Sequence, residues 1–242
     1  MASRCRITAF GFETGAVIAG KYRIEALLGA GWEGEVYRIT ETGTGIERAA
    51  KLFFPHRNPR NSAAKRYAIK LHKLRHCNIL IQYYTQDFIE FEGQRITLLI
   101  SEFVEGELLS ALLARQRGAA LPAFEALHLL HALASGMADI HMAREYHGDL
   151  HTDNIIVRRY GLGYEIKLID LFHWEAPRRE NIHADVCDLI RIFYDCLGGK
   201  RRYRHQRAEI KAIICGLKRT LILKKFRTAG QLRDYLESIN WQ

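Results

Sequence analysis

The chain has no long uncharged apolar stretch and few cysteines, and each shortage excludes a class of protein. Its richest apolar stretch, residues 124–143, is interrupted by charged and histidine side chains, whereas a membrane span needs roughly 18 apolar residues in a row. No apolar core follows the first charges, so we expect no signal peptide. The 5 cysteines form no Cys-x-x-Cys pair, which favours free thiols in a reducing cytoplasm over disulfides or structural zinc.

The remaining composition is that of a globular protein, with 48% hydrophobic and 26% charged residues. The formal charge of +9 is uneven: residues 1–100 carry +6, residues 101–197 carry −6, and residues 198–242 carry +9. Residues 200–207 form a dense basic run, which is either a solvated face or a docking surface for an acidic partner. It carries no nucleic-acid motif, so a nucleic-acid partner is not favoured.

The pattern of apolar residues predicts a β-rich first part and a helical second part. The predicted strands of the first part are 22–28, 35–39, 48–54, 83–91 and 95–103. Helical spacing over 61–75 interrupts them, and a strong helix is predicted over 124–144. Two short strands, 155–157 and 166–169, follow a polar loop. The fold class is therefore α+β, with the change near residue 105.

Two motifs in the first part suit phosphate. Gly29, Gly31 and Gly34 lie between two predicted strands, where a backbone without side chains can offer its N–H groups to a polyphosphate. A Rossmann site would need a helix directly afterwards, and here a strand follows. Lys51 stands among apolar residues on the next strand, where a lysine either extends to the edge of the sheet or pairs with an anion.

The polar loop 147–154 carries the third motif. It supplies Asp149 and Asn154, and Asp170 follows the second of the two short strands. Carboxylate and amide oxygens are hard ligands suited to Mg²⁺, and a carboxylate can also orient a substrate hydroxyl. Polar groups between apolar strands are costly to bury unless they have a role.

These motifs, in this order, resemble the protein-kinase superfamily from about Gly15 to the C-terminus. The N-terminal half is most similar to bacterial Ser/Thr protein kinases. The resemblance implies a bilobal fold with a β-rich N-lobe, one main helix in it, an α-helical C-lobe and a shortened activation segment. The implied boundaries are an N-terminal extension at 1–19, a kinase-like domain at 20–242, an N-lobe at about 20–102, a hinge at about 102–106 and a C-lobe at about 107–242.

The resemblance also implies ATP and Mg²⁺ as cofactors and assigns roles. Lys51 would hold the α- and β-phosphates, Asp149 would orient or deprotonate the acceptor hydroxyl, and Asn154 and Asp170 would bind Mg²⁺. The glycines would cover the nucleotide. The adenine contacts would come from the side chains of Val36, Ala49 and Ile156 and from the backbone of Glu102 and Val104.

One departure from the family pattern concerns the partner of Lys51. Relatives place a glutamate in the N-lobe helix, but that place falls on Tyr67, and residues 48–86 contain no Asp or Glu. Lys51 then needs another partner, such as Asp170, or the phosphates alone. This leaves a slow enzyme and a nucleotide-binding pseudokinase or scaffold as alternatives.

Further departures concern control and substrate. Gly148 replaces an arginine that in relatives pairs with a phosphorylated activation loop, the segment 170–185 is short, and Phe172 stands where a glycine is usual. We expect no control by activation-loop phosphorylation. His151 replaces a lysine, and the loop resembles that of aminoglycoside kinases. A small-molecule phosphotransferase therefore stays open beside the favoured Ser/Thr protein kinase.

Overall fold

The computed structural model describes residues 6–161, 163–171 and 176–239, which divide into two compact units. Unit 1 contains the chain up to Arg75 together with Ile81–Val104. Unit 2 contains His76–Leu80 and the chain from Glu105 onward.

Unit 1 consists of a six-stranded antiparallel sheet and one α-helix. The strands are β1 Val17–Ile18, β2 Tyr22–Ala30, β3 Gly34–Glu41, β4 Glu47–Phe53, β5 Tyr83–Phe91 and β6 Gln94–Glu102, in the order β1-β2-β3-β4-β6-β5. Helix α1 spans Ser62–Lys73 after a 3₁₀ turn at Pro59–Asn61. Asn58 Oδ1 accepts the backbone N–H groups of Ala63 and Ala64 and so begins the helix.

The core of unit 1 lies on one face of this sheet, because alternate residues of a strand point to opposite faces. Tyr37 and Ile39 of β3 and Ala50 and Leu52 of β4 are all buried there. The N-terminal segment packs on the same face through Phe10. The other face carries the alternate residues of β3 and β4 and includes the predicted site.

Unit 2 is built from helices and a three-stranded sheet of order β7-β8-β9. The strands are β7 Glu107–Leu108, β8 Ile155–Tyr160 and β9 Gly163–Leu168. The α-helices are α2 Leu109–Arg115, α3 Ala123–Met142, α4 Arg179–Cys196, α5 Gly199–Tyr203, α6 Ala208–Ile214, α7 Arg219–Lys225 and α8 Ala229–Ser238. Short 3₁₀ turns occupy Thr152–Asn154 and Cys215–Leu217.

Helix α3 is the centre of unit 2 and packs against α4, α8 and β9. A Cβ atom at Gly136 would lie 2.4 Å from Cδ1 of Ile79, so only glycine allows this close approach. The segment 76–80 is also tied to the sheet, since the N–H of Leu168 donates to the carbonyl of Ile79 at 2.7 Å. These contacts explain why His76–Leu80 belongs to unit 2, although it lies between two segments of unit 1.

The α+β class and the predicted order of strands and helices are confirmed. Across 6–161, 163–171 and 176–239, no helix is long and apolar enough to cross a membrane. Four cysteines in these ranges are free thiols: Cys77, Cys187, Cys196 and Cys215.

Candidate active site

The glycine loop is a tight turn between β2 and β3 in unit 1. The N–H of Gly31 donates to the carbonyl of Gly34 at 2.9 Å and closes the turn. A Cβ at Gly34 would lie 1.8 Å from the carbonyl oxygen of Leu52, so glycine is required where β3 meets β4. Cβ atoms at Gly29 and Gly31 would meet nothing within 4 Å. Packing inside unit 1 therefore demands only one of the three predicted glycines.

The strand register places the predicted nucleotide contacts of unit 1 on one face. Val36 pairs with Lys51 across β3 and β4, and Ala49 pairs with Ser101 of β6. Residues that face each other in an antiparallel pair share a face, as do residues two apart on one strand. Val36, Ala49 and Lys51 are all partly exposed, unlike their buried neighbours Tyr37 and Ala50.

Lys51 has an anionic and an aromatic neighbour within unit 1. Its Nζ lies 3.0 Å from Oε2 of Glu33, which is part of the glycine loop. It also lies 4.8 Å from the centroid of the Tyr67 ring, on the face that attracts cations. Tyr67 is buried on α1, and by the family resemblance it occupies the position where a glutamate is expected. In unit 1, an ion pair from the loop and a cation–π contact from the helix hold this lysine.

In unit 2 the predicted catalytic loop begins at the buried His147. The His147 Nε2 atom lies 3.0 Å from the carbonyl oxygen of Ile169, and its Nδ1 lies 3.3 Å from the N–H of Asp149. A neutral imidazole protonated on Nε2 satisfies both contacts, because it has one donor and one acceptor nitrogen. The histidine therefore links the loop to the residue that precedes Asp170.

Asn154 joins the three predicted polar residues of unit 2. Its Nδ2 donates to the backbone carbonyl of Asp149 at 2.8 Å, and its backbone carbonyl accepts the N–H of Ile169 at 3.0 Å. Asp170 follows directly and has a left-handed backbone with φ 55°. A non-glycine residue in this region is strained, and such residues cluster at functional sites. The hydrogen bonds thus bring the neighbourhoods of Asp149, Asn154 and Asp170 together.

Asp149 itself is open to solvent, with 51% of its side chain exposed. His151 Nε2 lies 3.6 Å from Asp149 Oδ2 and 3.0 Å from Asn154 Nδ2. Its Nδ1 accepts the N–H of Asp153 and caps the short 3₁₀ turn. His151, which the resemblance sets in place of a lysine, therefore lies next to Asp149, the predicted base.

The predicted hinge is the point where the chain leaves unit 1, between Val104 and Glu105. Within unit 1, the backbone N–H of Glu102 donates to the carbonyl oxygen of Gln82 at 2.9 Å. The carboxylate of Glu102 in turn accepts the backbone N–H of Gln82. Within unit 2, Gly106 has φ 137°, and a Cβ there would lie 2.5 Å from the carbonyl oxygen of Val157. Ile156 lies on β8 opposite Leu108 of β7.

The side-chain oxygens of Asn154 and Asp170 in unit 2 are of the kind that binds a magnesium ion. The amide nitrogen of Asn154 is directed at the Asp149 carbonyl, so its oxygen is turned to the other side, and Asp170 adds a carboxylate. Oxygen ligands of this kind, together with phosphates and water, are what Mg²⁺ prefers. Among residues 6–161, 163–171 and 176–239, no group of three or more His, Cys, Asp and Glu side chains forms an all-protein metal cage.

A comparison with known families identifies the class. The protein kinase domain family matches residues 22–185, well over half of the chain. The chain therefore belongs to the protein kinase domain family.

Individual relatives agree with this assignment. The serine/threonine-protein kinase pkn2 of Myxococcus xanthus is 30% identical over 158 residues, which is 64% of this chain and 18% of that protein. Human myosin light chain kinase family member 4 is 29% identical over 146 residues, which is 60% of this chain and 35% of that protein. The match thus spans well under half of either relative.

Solved structures support the fold. A double mutant of the Mycobacterium tuberculosis PknI kinase domain superposes with a TM-score of 0.68 at 19% identity, covering 94% of this chain and 98% of that one. The PknI kinase domain in another crystal structure gives 0.66 with the same identity and coverage. At this identity, the likeness concerns the fold alone.

Sequence reasoning missed Glu33 as the neighbour of Lys51. A signal was present, because a lone carboxylate stands between the last two glycines of a loop that leads into the strand paired with β4. Phe172 lies outside the described residues, as do residues 173–175, so the interpretation of Phe172 stays a prediction. Helix α4 begins at Arg179, so the segment after Asp170 is short.

Proposed function

We propose that this chain is an ATP- and Mg²⁺-dependent Ser/Thr protein kinase domain that transfers the γ-phosphate of ATP to a protein hydroxyl. One observation carries the proposal: the hydrogen bonds from His147 through Ile169 and Asn154 to Asp149 in unit 2. Through Asn154 they link the backbone of Asp149 to that of Ile169, the residue before Asp170, and they leave the Asp149 carboxylate accessible. Such fixed polar groups are what phosphoryl transfer requires, since most of its catalysis is positioning and charge stabilisation.

Each residue then has a role in the reaction. Asp149 orients the acceptor hydroxyl and accepts its proton, and its exposure allows the acceptor to approach. Lys51 binds the α- and β-phosphates. Asn154 Oδ1 and the Asp170 carboxylate hold Mg²⁺, which when bound neutralises charge on the phosphates. The resemblance assigns the adenine contacts to the side chains of Val36, Ala49 and Ile156 and to the backbone of Glu102 and Val104, and the phosphate cover to Gly29, Gly31 and Gly34.

We further propose that activation-loop phosphorylation does not control this enzyme. Gly148 has no side chain to pair with a phosphate group, and the chain after Asp170 reaches α4 quickly. Phosphatase treatment is expected to leave the activity within about twofold of the untreated protein. A twofold change corresponds to a much smaller free energy than the loss of an Arg–phosphate pair. A phosphorylated residue between 172 and 182 that proved essential would contradict this.

Two alternatives rest on particular observations. His151 lies against Asp149, which suits a small-molecule phosphotransferase whose acceptor is not a peptide. Tyr67 supplies a ring where relatives supply a carboxylate, which suits a nucleotide-binding pseudokinase or scaffold. For a protein acceptor, the exposed basic residues of 200–207 offer a surface to an acidic segment of the substrate. A cytoplasmic location stays a prediction.

The test is autophosphorylation with radiolabelled Mg²⁺–ATP, beside a panel of proteins and of aminoglycoside-like metabolites as acceptors. Asp149→Ala is compared with Asp153→Ala, an exposed aspartate of the same loop. Lys51→Ala is compared with Lys65→Ala, an exposed lysine on α1. ATP binding is measured on every variant by calorimetry.

Label on protein that falls by about 100-fold or more in Asp149→Ala but not in Asp153→Ala supports the proposal. Label only on a metabolite would replace it with the small-molecule reading. ATP binding without any transfer would indicate the pseudokinase, and absence of ATP binding would overturn the nucleotide site itself.

A further inference from the structure

A carboxylate inside the glycine loop is the feature that the proposed function leaves unexplained. Glu33 lies between Gly31 and Gly34, and only 7% of it is exposed. Its backbone carbonyl accepts the N–H of Phe54 at 2.9 Å, which ties the loop to the end of β4. Burying a carboxylate is costly unless a cation or donors compensate it, and here Lys51 is the cation.

Both side chains of the Glu33–Lys51 pair are shielded from water. The side chains are 9% and 15% exposed, and Oε2 and Nζ are 3.0 Å apart, a charge-assisted hydrogen bond. Screening by solvent and salt is weak for a pair of this burial. The contact therefore helps to hold both groups in place when no nucleotide is present.

Neighbouring residues make the loop conformation specific. Trp32 is 59% exposed, and the guanidinium of Arg57 lies 3.8 Å from the centroid of its ring. Trp32 thus points to solvent while Glu33 points to Lys51. On the strand side, the close approach of Gly34 to Leu52 fixes the end of the loop. Contacts at Trp32, Glu33 and Gly34 thus hold the loop in one conformation.

The same ammonium group is the proposed ligand of the α- and β-phosphates. Phosphates and a carboxylate within a few ångströms of each other repel, and the repulsion is strong where water is largely excluded. In the family pattern the partner glutamate reaches this lysine from the N-lobe helix, which leaves room for the phosphates. Glu33 instead reaches Lys51 from the glycine loop that would cover the phosphates. The phosphates can therefore engage Lys51 fully only after Glu33 has moved away from it. This competition would act on phosphates and not on the nucleoside.

We propose that Glu33 sets the nucleotide affinity of this site by serving as the resident counter-ion of Lys51, which the phosphates of the nucleotide must displace. The inference rests on the proposed function, because it needs phosphates at Lys51. It assigns Glu33 a role in nucleotide affinity and places a competing anion in the loop that covers the nucleotide.

The experiment compares the full chain with Glu33→Gln, which keeps the size and hydrogen-bonding capacity of the side chain but removes its charge. Glu47→Gln is the matched control, because it removes the same charge from an exposed pair with Arg38 on the same sheet. Dissociation constants for adenosine, ADP and ATP are measured by calorimetry at one salt concentration. We expect Glu33→Gln to bind ATP about 5 to 30 times more tightly, a range typical of one charge pair in a partly buried site. Adenosine affinity is expected to change by less than about twofold, since adenosine carries no phosphate.

ATP affinity that is unchanged or weaker in Glu33→Gln, or an equal gain for adenosine, overturns the proposal. If the wild-type chain binds ATP and phosphorylates an acceptor while Glu33→Gln has no effect on affinity, only this inference fails. If neither protein binds ATP, the proposed function fails with it.

A second readout reports the loop directly. Trp174→Phe and Trp241→Phe together leave Trp32 as the sole tryptophan of the chain. ATP is expected to change Trp32 emission in this background, and Glu33→Gln is expected to change it before any nucleotide is added. If Glu33→Gln should fold poorly, Glu33→Ser removes the same charge with a smaller side chain. Emission that is the same with and without the Glu33 charge, together with unchanged ATP affinity, overturns the proposal.

Discussion

The backbone N–H of Gly148 donates a hydrogen bond of 2.9 Å to Oδ1 of Asp185, which attaches the loop that contains Asp149 to helix α4. The other carboxylate oxygen accepts the N–H of His147 at 2.9 Å and lies 3.1 Å from Nε2 of His141. Asp185 is completely buried. One carboxylate thus fixes two successive peptide units directly before the proposed catalytic base.

Asp185→Ala is expected to destabilise the protein by about 3 to 5 kcal/mol. The substitution leaves two backbone N–H groups buried without their acceptor, and each such group costs about 1–3 kcal/mol. Urea unfolding measures the loss. Asp195→Ala, an exposed position further along α4, serves as the control and should change stability by less than about 0.5 kcal/mol. A loss below about 1 kcal/mol in Asp185→Ala would show that other contacts hold the loop.

Gly148→Ala is expected to cost about 1–2 kcal/mol, because Gly148 has φ 85° and an L-residue in that region brings its Cβ against the following carbonyl oxygen. Gly230→Ala is the control. Gly230 lies in helix α8 with an ordinary φ, and the nearest atom to an added Cβ is 3.8 Å away. There, alanine should stabilise by about 0.5 kcal/mol or more. Equal effects of the two substitutions in urea unfolding would contradict the prediction.

The sequence predicts helix α3 and the order of motifs well, because both depend on local patterns. The apolar spacing of α3 is visible within one segment, and the loop from His147 to Asn154 is read as a unit. The neighbours of Lys51 could not be predicted in this way. The Glu33 contact depends on how a glycine turn folds back on β4, which no periodicity encodes. The helical spacing correctly predicts Tyr67 on α1. Its cation–π contact with Lys51 depends on how α1 packs against β4, which the spacing does not give.

Asp188→Asn is expected to stabilise the protein at pH 7.5. Burial, reinforced by the negative charges of Asp185 and Asp149, raises the pKa of Asp188 from 3.8 to about 6. A pKa difference of this size corresponds to at most about 3 kcal/mol. Because the group keeps partial contact with solvent, we expect a gain of about 1–2 kcal/mol.

The gain should depend on pH in a defined direction. Because the folded pKa is raised, stability from the protonated form is fully present below pH 3.8 and is lost as the pH rises to about 6. Asparagine cannot ionise, so the difference between Asp188→Asn and the wild type should be largest above pH 6 and vanish towards pH 4. Urea unfolding at pH 4.5, 6 and 7.5 checks this, and a gain that grew as the pH fell would contradict it.

The N-terminal segment is tied to unit 1 by aromatic packing on the buried face of the sheet. Phe10 is 5% exposed, and its ring stacks on Phe54 with centroids 5.3 Å apart and meets Phe91 edge-on at 5.4 Å. Its backbone N–H also donates to the buried carboxylate of Glu35 at 3.2 Å, and Tyr37 donates its hydroxyl to the same carboxylate. Desolvation, together with this carboxylate, raises the pKa of Tyr37 to about 12.

Phe10→Ala is therefore expected to destabilise the protein by about 3 kcal/mol or more, the usual loss for a buried aromatic side chain. Phe124→Ala is the matched control, because Phe124 is 69% exposed on α3 and should lose less than about 1 kcal/mol. Urea unfolding followed by far-UV circular dichroism measures both. If Phe10→Ala proved as mild as the control, residues 1–19 would behave as an extension separate from the domain that begins at residue 20. A large loss would show that Phe10 belongs to the folded core of unit 1, as its burial against Phe54 and Phe91 indicates.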